Sequence, residues 1–87
     1  MKRQIRFESD ALTELDDWVR LNPKIASRIL DLIQEICKSP FEGKGKPEPL
    51  KHKFKGYWSR RINDEHRLIY SVTEDAVSVL SCKSHYQ

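Results

Sequence analysis

No stretch of this 87-residue chain approaches the roughly 20 consecutive apolar residues that a membrane span requires, and the opening MKRQIRFES has no apolar run like that of a secretory leader. Those two absences predict a cytoplasmic protein without a membrane partner. Cysteine is scarce: Cys37 and Cys82 lie far apart among apolar neighbours, with no other Cys or His at metal-ligand spacing. They read as small buried hydrophobes of a reducing compartment rather than as a redox pair or a zinc site. No internal repeat and no low-complexity tract occurs. A chain of this length is too short to divide its core, so residues 1–87 are expected to form one domain.

What is present is a mild basic bias, 16 Lys and Arg against 13 Asp and Glu for a net charge of +3. Such a balance suits a polyanionic partner but equally describes a lysine-rich solvated surface. Ile5 and Phe7 alternate with charged residues, predicting a short strand over 4–7. Ser9 can cap a helix over about 10–21 whose apolar positions, Ala11, Leu12, Leu15, Trp18 and Val19, fall at three- and four-residue spacing. Asn22-Pro23 then closes that helix and opens another, because proline fits the first helical position. Ile25, Ile29, Leu32, Ile33 and Ile36 stripe this second helix, which ends near Ser39-Pro40. Two amphipathic helices on so short a link predict an antiparallel helical hairpin.

Residues 41–52, FEGKGKPEPLKH, carry no hydrophobic period and are expected to form neither helix nor strand. Beyond them the period becomes two. Residues 54–62 and 66–73 flank Asn63-Asp64-Glu65 and predict a β-hairpin, and 76–83 a third strand after the turn at Glu74-Asp75. The expected fold is therefore α+β: an N-terminal strand, a two-helix antiparallel hairpin, then an antiparallel sheet with the helices on one face.

A three-residue loop would set Trp58 opposite Tyr70 and Arg61 opposite Arg67. Trp58, Ile62, Leu68, Tyr70 and Val72 would then face the helices, and Tyr57, Ser59, Arg61, Arg67, Ile69 and Ser71 the other way. Two arginines directly across a strand pair repel, which calls for an anion between them, either a phosphate matching the guanidinium fork or a carboxylate such as Glu65. The third strand cannot be phased, since both its faces mix apolar and small residues.

If that face binds phosphate, the chain offers Glu42 and Glu48 as carboxylates, Lys51, Arg61 and Arg67 as cations, the histidines His52, His66 and His85, and Tyr86. Metal-free RNA cleavage needs a base for the 2′-hydroxyl, cations for the phosphorane and an acid for the leaving 5′-oxygen, and these residue types supply all three. Each also has a plain reading: a solvated loop glutamate, a basic run at Lys51-His52-Lys53, a frayed terminus at His85. From the residues alone the chain reads as a small basic α+β domain, with RNA binding, RNA cleavage and a merely solvated basic face all left open.

The string from Pro40 to Tyr86, with PFEGKGKPEPLKH, the hairpin WSRRI and EHRLIY, and a closing His-Tyr, resembles the Txe/YoeB family within the RelE-like superfamily of toxins from bacterial type II toxin–antitoxin modules. The resemblance covers the whole chain in element order and is densest over those residues. It implies a ribosome-dependent mRNA interferase that enters the ribosomal A site and cuts the codon there, leaving a 2′,3′-cyclic phosphate, or the 3′-phosphate from its opening, and a 5′-hydroxyl. Carried over by motif, it implies Glu48 as general base, His85 as general acid and Arg67 as stabiliser of the phosphorane. Lys51 and Arg61 would assist, and Tyr86 would hold the substrate base or the C-terminal tail. No metal and no cofactor is implied. The implied partners are the 70S ribosome with its mRNA, a cognate antitoxin of the YefM kind, a second copy of the chain, and operator DNA only through the toxin–antitoxin complex. The alternative is a non-catalytic regulator that uses the same basic face to bind the ribosome, or its antitoxin and operator.

Overall fold

The computed structural model describes residues 3–84. A first strand, β1 (Gln4–Phe7), leads into two helices, α1 (Ser9–Leu21) and α2 (Pro23–Lys38). Then come β2 (Glu48–Pro49), a 3-10 turn at His52–Phe54, β3 (Trp58–Arg61), β4 (Arg67–Val72) and β5 (Ala76–Ser84). The sheet order is β1-β5-β4-β3-β2. Strands β3 to β5 are antiparallel as expected, β2 adds antiparallel to β3, and β1 joins β5 in parallel, with Ile5 opposite Val77.

The two helices meet through backbone rather than side-chain caps. Asn22 donates its N–H to Trp18 O at 2.8 Å, ending α1, and its carbonyl accepts from the amides of Ile25 and Ala26 at 3.0 and 3.3 Å, starting α2. Its side chain makes no cap, and Pro23 occupies the first turn. Ser9 does not cap α1 either: the helix begins at Ser9 itself, after an extended Glu8. Helix α2 supplies most of the core, burying Ala26, Ile29, Leu32, Ile33, Ile36 and Cys37 against Leu68, Tyr70, Val77, Val79 and Cys82 of the sheet. Its four fully buried Ile and Leu side chains are each worth about 1.5–3 kcal/mol on removal from water. Helix α1 contributes a narrower stripe, with Ala11 and Trp18 buried and Leu15 packed at the edge, while Leu12 and Val19 stay more than half exposed. A helix resting on a sheet with a second helix beside it covers only the line that points down.

Strand β5 resists phasing from sequence because its register against β4 shifts twice. Tyr70 pairs with Val79, Ile69 with Ser81 and Arg67 with Ser84, so one residue is inserted at each step. A bulge reverses the alternation of everything beyond it. Val77, Val79 and then Cys82 all point into the core. The bulged backbone is held from α1: Glu14 Oε1 accepts from the Cys82 amide at 2.7 Å and from Ser81 Oγ at 3.1 Å, and Trp18 Nε1 donates to Cys82 O at 2.8 Å. His66 joins them, its ring edge-on to Trp18 at 4.9 Å and its Nδ1 2.6 Å from Lys83 O.

Candidate active site

The 41–52 segment is ordered by one residue that the hydrophobic pattern passes over. Arg60 sits opposite Leu68 on the helix-facing side of β3 and is completely buried. Each of its five N–H groups finds an acceptor: Nε on Tyr70 Oη at 3.2 Å, Nη1 on Glu35 Oε2 at 2.6 Å and Lys44 O at 3.1 Å, and Nη2 on Ser39 O at 2.5 Å and Glu42 O at 2.9 Å. Tyr70 Oη in turn donates to Pro40 O at 2.8 Å. A buried guanidinium persists only when every donor is satisfied, and here three of the five acceptors are backbone carbonyls of the segment that leaves α2, at Ser39, Glu42 and Lys44. Glu35 completes the grip by accepting from the Lys44 amide at 2.9 Å.

Gly45 carries the loop back to the sheet. Its φ of +82° is left-handed, its carbonyl accepts from Arg61 N at 2.6 Å, and a Cβ there would lie 3.0 Å from Arg61 O and 3.1 Å from Arg60 Cβ. Three residues later the segment pairs with β3, Glu48 opposite Ser59 and Pro49 opposite Trp58. The expectation of no strand in this segment is thus corrected: it forms the edge of the sheet, where proline's missing N–H costs nothing. A second correction concerns 54–57. The strand begins at Trp58, because residues 52–57 form the 3-10 turn and a tight return, with Tyr57 N donating to Phe54 O at 3.0 Å.

On the opposite side of the sheet from Arg60 lies a cleft of about 360 Å³, lined by Lys46, Glu48, Pro49, Leu50, Lys51, His52, Ser59, Arg61 and Arg67. Glu48, Lys51, Arg61 and Arg67 are therefore brought together, three strands contributing to one concavity. Arg61 and Arg67 stand directly across the β3–β4 pair. Among the described residues no carboxylate is ion-paired to either. Glu65 lies instead 4.0 Å from His66 Nε2, and Arg67 is steadied by hairpin-loop carbonyls, its Nη1 donating to Asn63 O at 2.8 Å and more weakly to His66 O and Asp64 O. That leaves the Nε and Nη2 edge of Arg67 without a protein partner among the described residues. The lining holds four fixed cations and one carboxylate, Glu48. His85 and Tyr86 lie outside the described residues, while β5 ends on Ser84, opposite Arg67.

The chain matches the family model described as the YoeB-like toxin of bacterial type II toxin-antitoxin systems, over residues 7–86. It belongs to the YoeB-like toxin family. Toxin YoeB of Escherichia coli strain K12 is 51% identical over 69 residues, which is 79% of this chain and 82% of that one. The structure of the YoeB dimer from Staphylococcus aureus superposes with a TM-score of 0.92 at 38% identity, covering 99% of this chain and 100% of that one. A heterotetrameric YoeB-YefM toxin-antitoxin complex from the same organism superposes at 0.89, also at 38% identity and the same coverage.

Within this YoeB-like fold the sequence expectation for the cleft omitted Lys46, gave Ser59 a place on the face of Arg61 without a role, and offered His52 either as a site histidine or as part of a basic run. Ser59 was legible, since it shares the alternating face of Arg61. Lys46 and His52 were not, because their placement depends on a backbone conformation that no periodicity encodes. Glu42, the other loop carboxylate, is absent from the cleft lining and contributes its carbonyl to Arg60. Among the described residues no three His, Cys, Asp or Glu side chains come close enough to hold a metal ion, and no helix is long and apolar enough to cross a membrane.

Proposed function

We propose that this toxin is a ribosome-dependent endoribonuclease that cuts mRNA in the A site by acid–base chemistry carried on its own side chains. The observation that carries the reading is the convergence of Glu48 with Lys51, Arg61 and Arg67 on one open cleft. Glu48 takes the proton of the 2′-hydroxyl, and the resulting oxyanion attacks the adjacent phosphorus. The negative charge that gathers on the phosphorane oxygens is met by the Nε and Nη2 edge of Arg67 together with Arg61 and Lys51, an arrangement whose own mutual repulsion the phosphate relieves. His85 protonates the departing 5′-oxygen, yielding a 2′,3′-cyclic phosphate and a 5′-hydroxyl, and Tyr86 holds the substrate base or the tail. Such proton transfers are typically worth 10²–10⁴-fold each.

The same reading supplies the partners. The Staphylococcus aureus relatives are found as a YoeB dimer and as YoeB-YefM complexes. We infer for this chain a homodimer, a YefM-like antitoxin that neutralises it, operator binding only as that complex, and a cytoplasmic site of action where translated mRNA is found. The test is to map 5′ ends on a defined mRNA with and without ribosomes, using wild type, Glu48→Gln, His85→Ala and Glu42→Ala. Codon-phased cuts made only with ribosomes, lost in the first two variants and kept in Glu42→Ala, are the expected result. Ribosome binding without cleavage by the wild type would instead make the chain a regulator.

A further inference from the structure

Two residues of the cleft are held in a conformation that their side chains do not favour. Lys46 (φ +51°) and His52 (φ +59°) are the non-glycine residues with left-handed backbone among those described. Both line the cleft, and they bracket the Glu48–Lys51 segment in the chain. A non-glycine residue pays for this region of backbone space, which glycine enters freely. The same chain does use glycine where it needs such a turn, at Gly43, Gly45 and Gly56. The His52 carbonyl is used by the turn, accepting from Lys55 N at 3.0 Å, but among the described residues neither the Lys46 ammonium nor the His52 ring has a hydrogen bond, ion pair or ring contact. Strained backbone whose side chains have no partner among the described residues, at the wall of a cleft, points to a ligand that those side chains meet.

The chemistry of that ligand follows from the lining. Arg61, Arg67 and Lys51 line the cleft beside Glu48, where the proposed reading sets the scissile phosphate. The cleft, at about 360 Å³, has the volume of a site for a nucleotide-sized molecule rather than for one phosphate. We propose that Lys46 and His52 form a second phosphate-binding subsite, which holds the RNA backbone at a phosphate flanking the one that is cut. Lys46 supplies a fixed charge and His52 an imidazole N–H donor. This inference rests on the nucleic-acid reading of the cleft given above, and it makes both residues substrate-binding rather than catalytic.

Glycine substitution separates the two roles, because it removes the side chain while suiting the backbone. Lys46→Gly and His52→Gly would be compared with wild type and with Lys53→Ala, which removes a neighbouring charge outside the cleft. Three quantities would be measured: melting temperature, binding to a fluorescent single-stranded RNA oligonucleotide across a salt series, and cleavage on programmed ribosomes. Both glycine variants are expected to melt at or above the wild-type temperature yet bind RNA about tenfold more weakly, the loss of one charge-assisted contact. For Lys46→Gly the slope of log affinity against log salt should fall by about one unit. In cleavage the change should appear in KM with kcat within about twofold. Lys53→Ala should alter neither affinity nor KM. RNA affinity and salt slope equal to wild type in both glycine variants would overturn the subsite, and so would a lowered melting temperature, which would show the side chains serving the fold. Absence of ribosomal cleavage by the wild type would count against the nuclease reading alone, since the oligonucleotide binding is read independently of it.

Discussion

Arg60 Nη1 and Glu35 Oε2 lie 2.6 Å apart under the sheet, tying the middle of β3 to the last turns of α2 around the loop that becomes β2. Every donor of the guanidinium is used, so the pair acts as the frame on which the cleft wall is mounted. Replacing Arg60 by Ala strands a carboxylate, a tyrosine hydroxyl and three carbonyls, and is expected to cost about 3–5 kcal/mol in urea unfolding. Arg60→Lys should recover only part, since an ammonium cannot reach acceptors spread over a fork. Glu35→Gln should cost less than either Arg60 variant, because Glu35 is partly exposed and an amide oxygen still accepts.

Two of the left-handed glycines, Gly45 and Gly56, should respond differently to a methyl group. At Gly45 a Cβ meets backbone at 3.0 Å, so Gly45→Ala must move β3 beside Arg61 and should lower both stability and cleavage. At Gly56, φ +98°, nothing lies within 4 Å. Gly56→Ala therefore carries the backbone cost alone, about 1–2 kcal/mol in thermal or urea melts, with cleavage per folded molecule unchanged.

Glu14 compensates a break in the ladder. Its carboxylate accepts the Cys82 amide next to the second register shift, and Glu14→Ala leaves that buried N–H without its acceptor. A loss of about 1–3 kcal/mol is expected, and amide hydrogen exchange at Cys82 should rise more than at Val77, which lies on the regular part of the strand.

Burial pushes the Cys82 thiol up to about 12 from the ordinary 9.0, with the Glu14 carboxylate adding to the effect. A thiol whose pKa is raised by folding leaves stability undiminished below about pH 9 and erodes it as pH climbs toward 12, by about 4 kcal/mol over the whole interval. The difference between wild type and Cys82→Ala in alkaline unfolding curves should carry this slope. In native protein at pH 8 a thiol reagent should leave Cys82 untouched and modify it only on unfolding.

The sequence by itself determined the order of β1, the two helices and β3 to β5, the helical hairpin and the pairing of β3 with β4. Those follow from local rules: spacing of apolar residues, proline at a helix start, and a three-residue loop that places Arg61 across from Arg67 without further information. The same rules offered Glu42 and Glu48 as carboxylates and Lys51, Arg61 and Arg67 as cations, of which Glu48, Lys51, Arg61 and Arg67 meet in one cleft; only the family resemblance singled out Glu48, and Lys46 was missed. Those rules could not identify Arg60, because a charge on an apolar face is explained only by acceptors that arrive from α2 and the loop, 16 to 25 residues away in the chain. They could not phase β5, whose bulges are stabilised by Glu14, 68 residues distant from Cys82. Nor could they turn residues 41–52 into a cleft wall with an edge strand, since those backbone groups are satisfied by a buried guanidinium and a neighbouring strand rather than by each other. Period and turn chemistry are properties of neighbours in sequence, whereas the satisfaction of buried polar groups is a property of neighbours in space, and in this toxin the second decided the shape of the site.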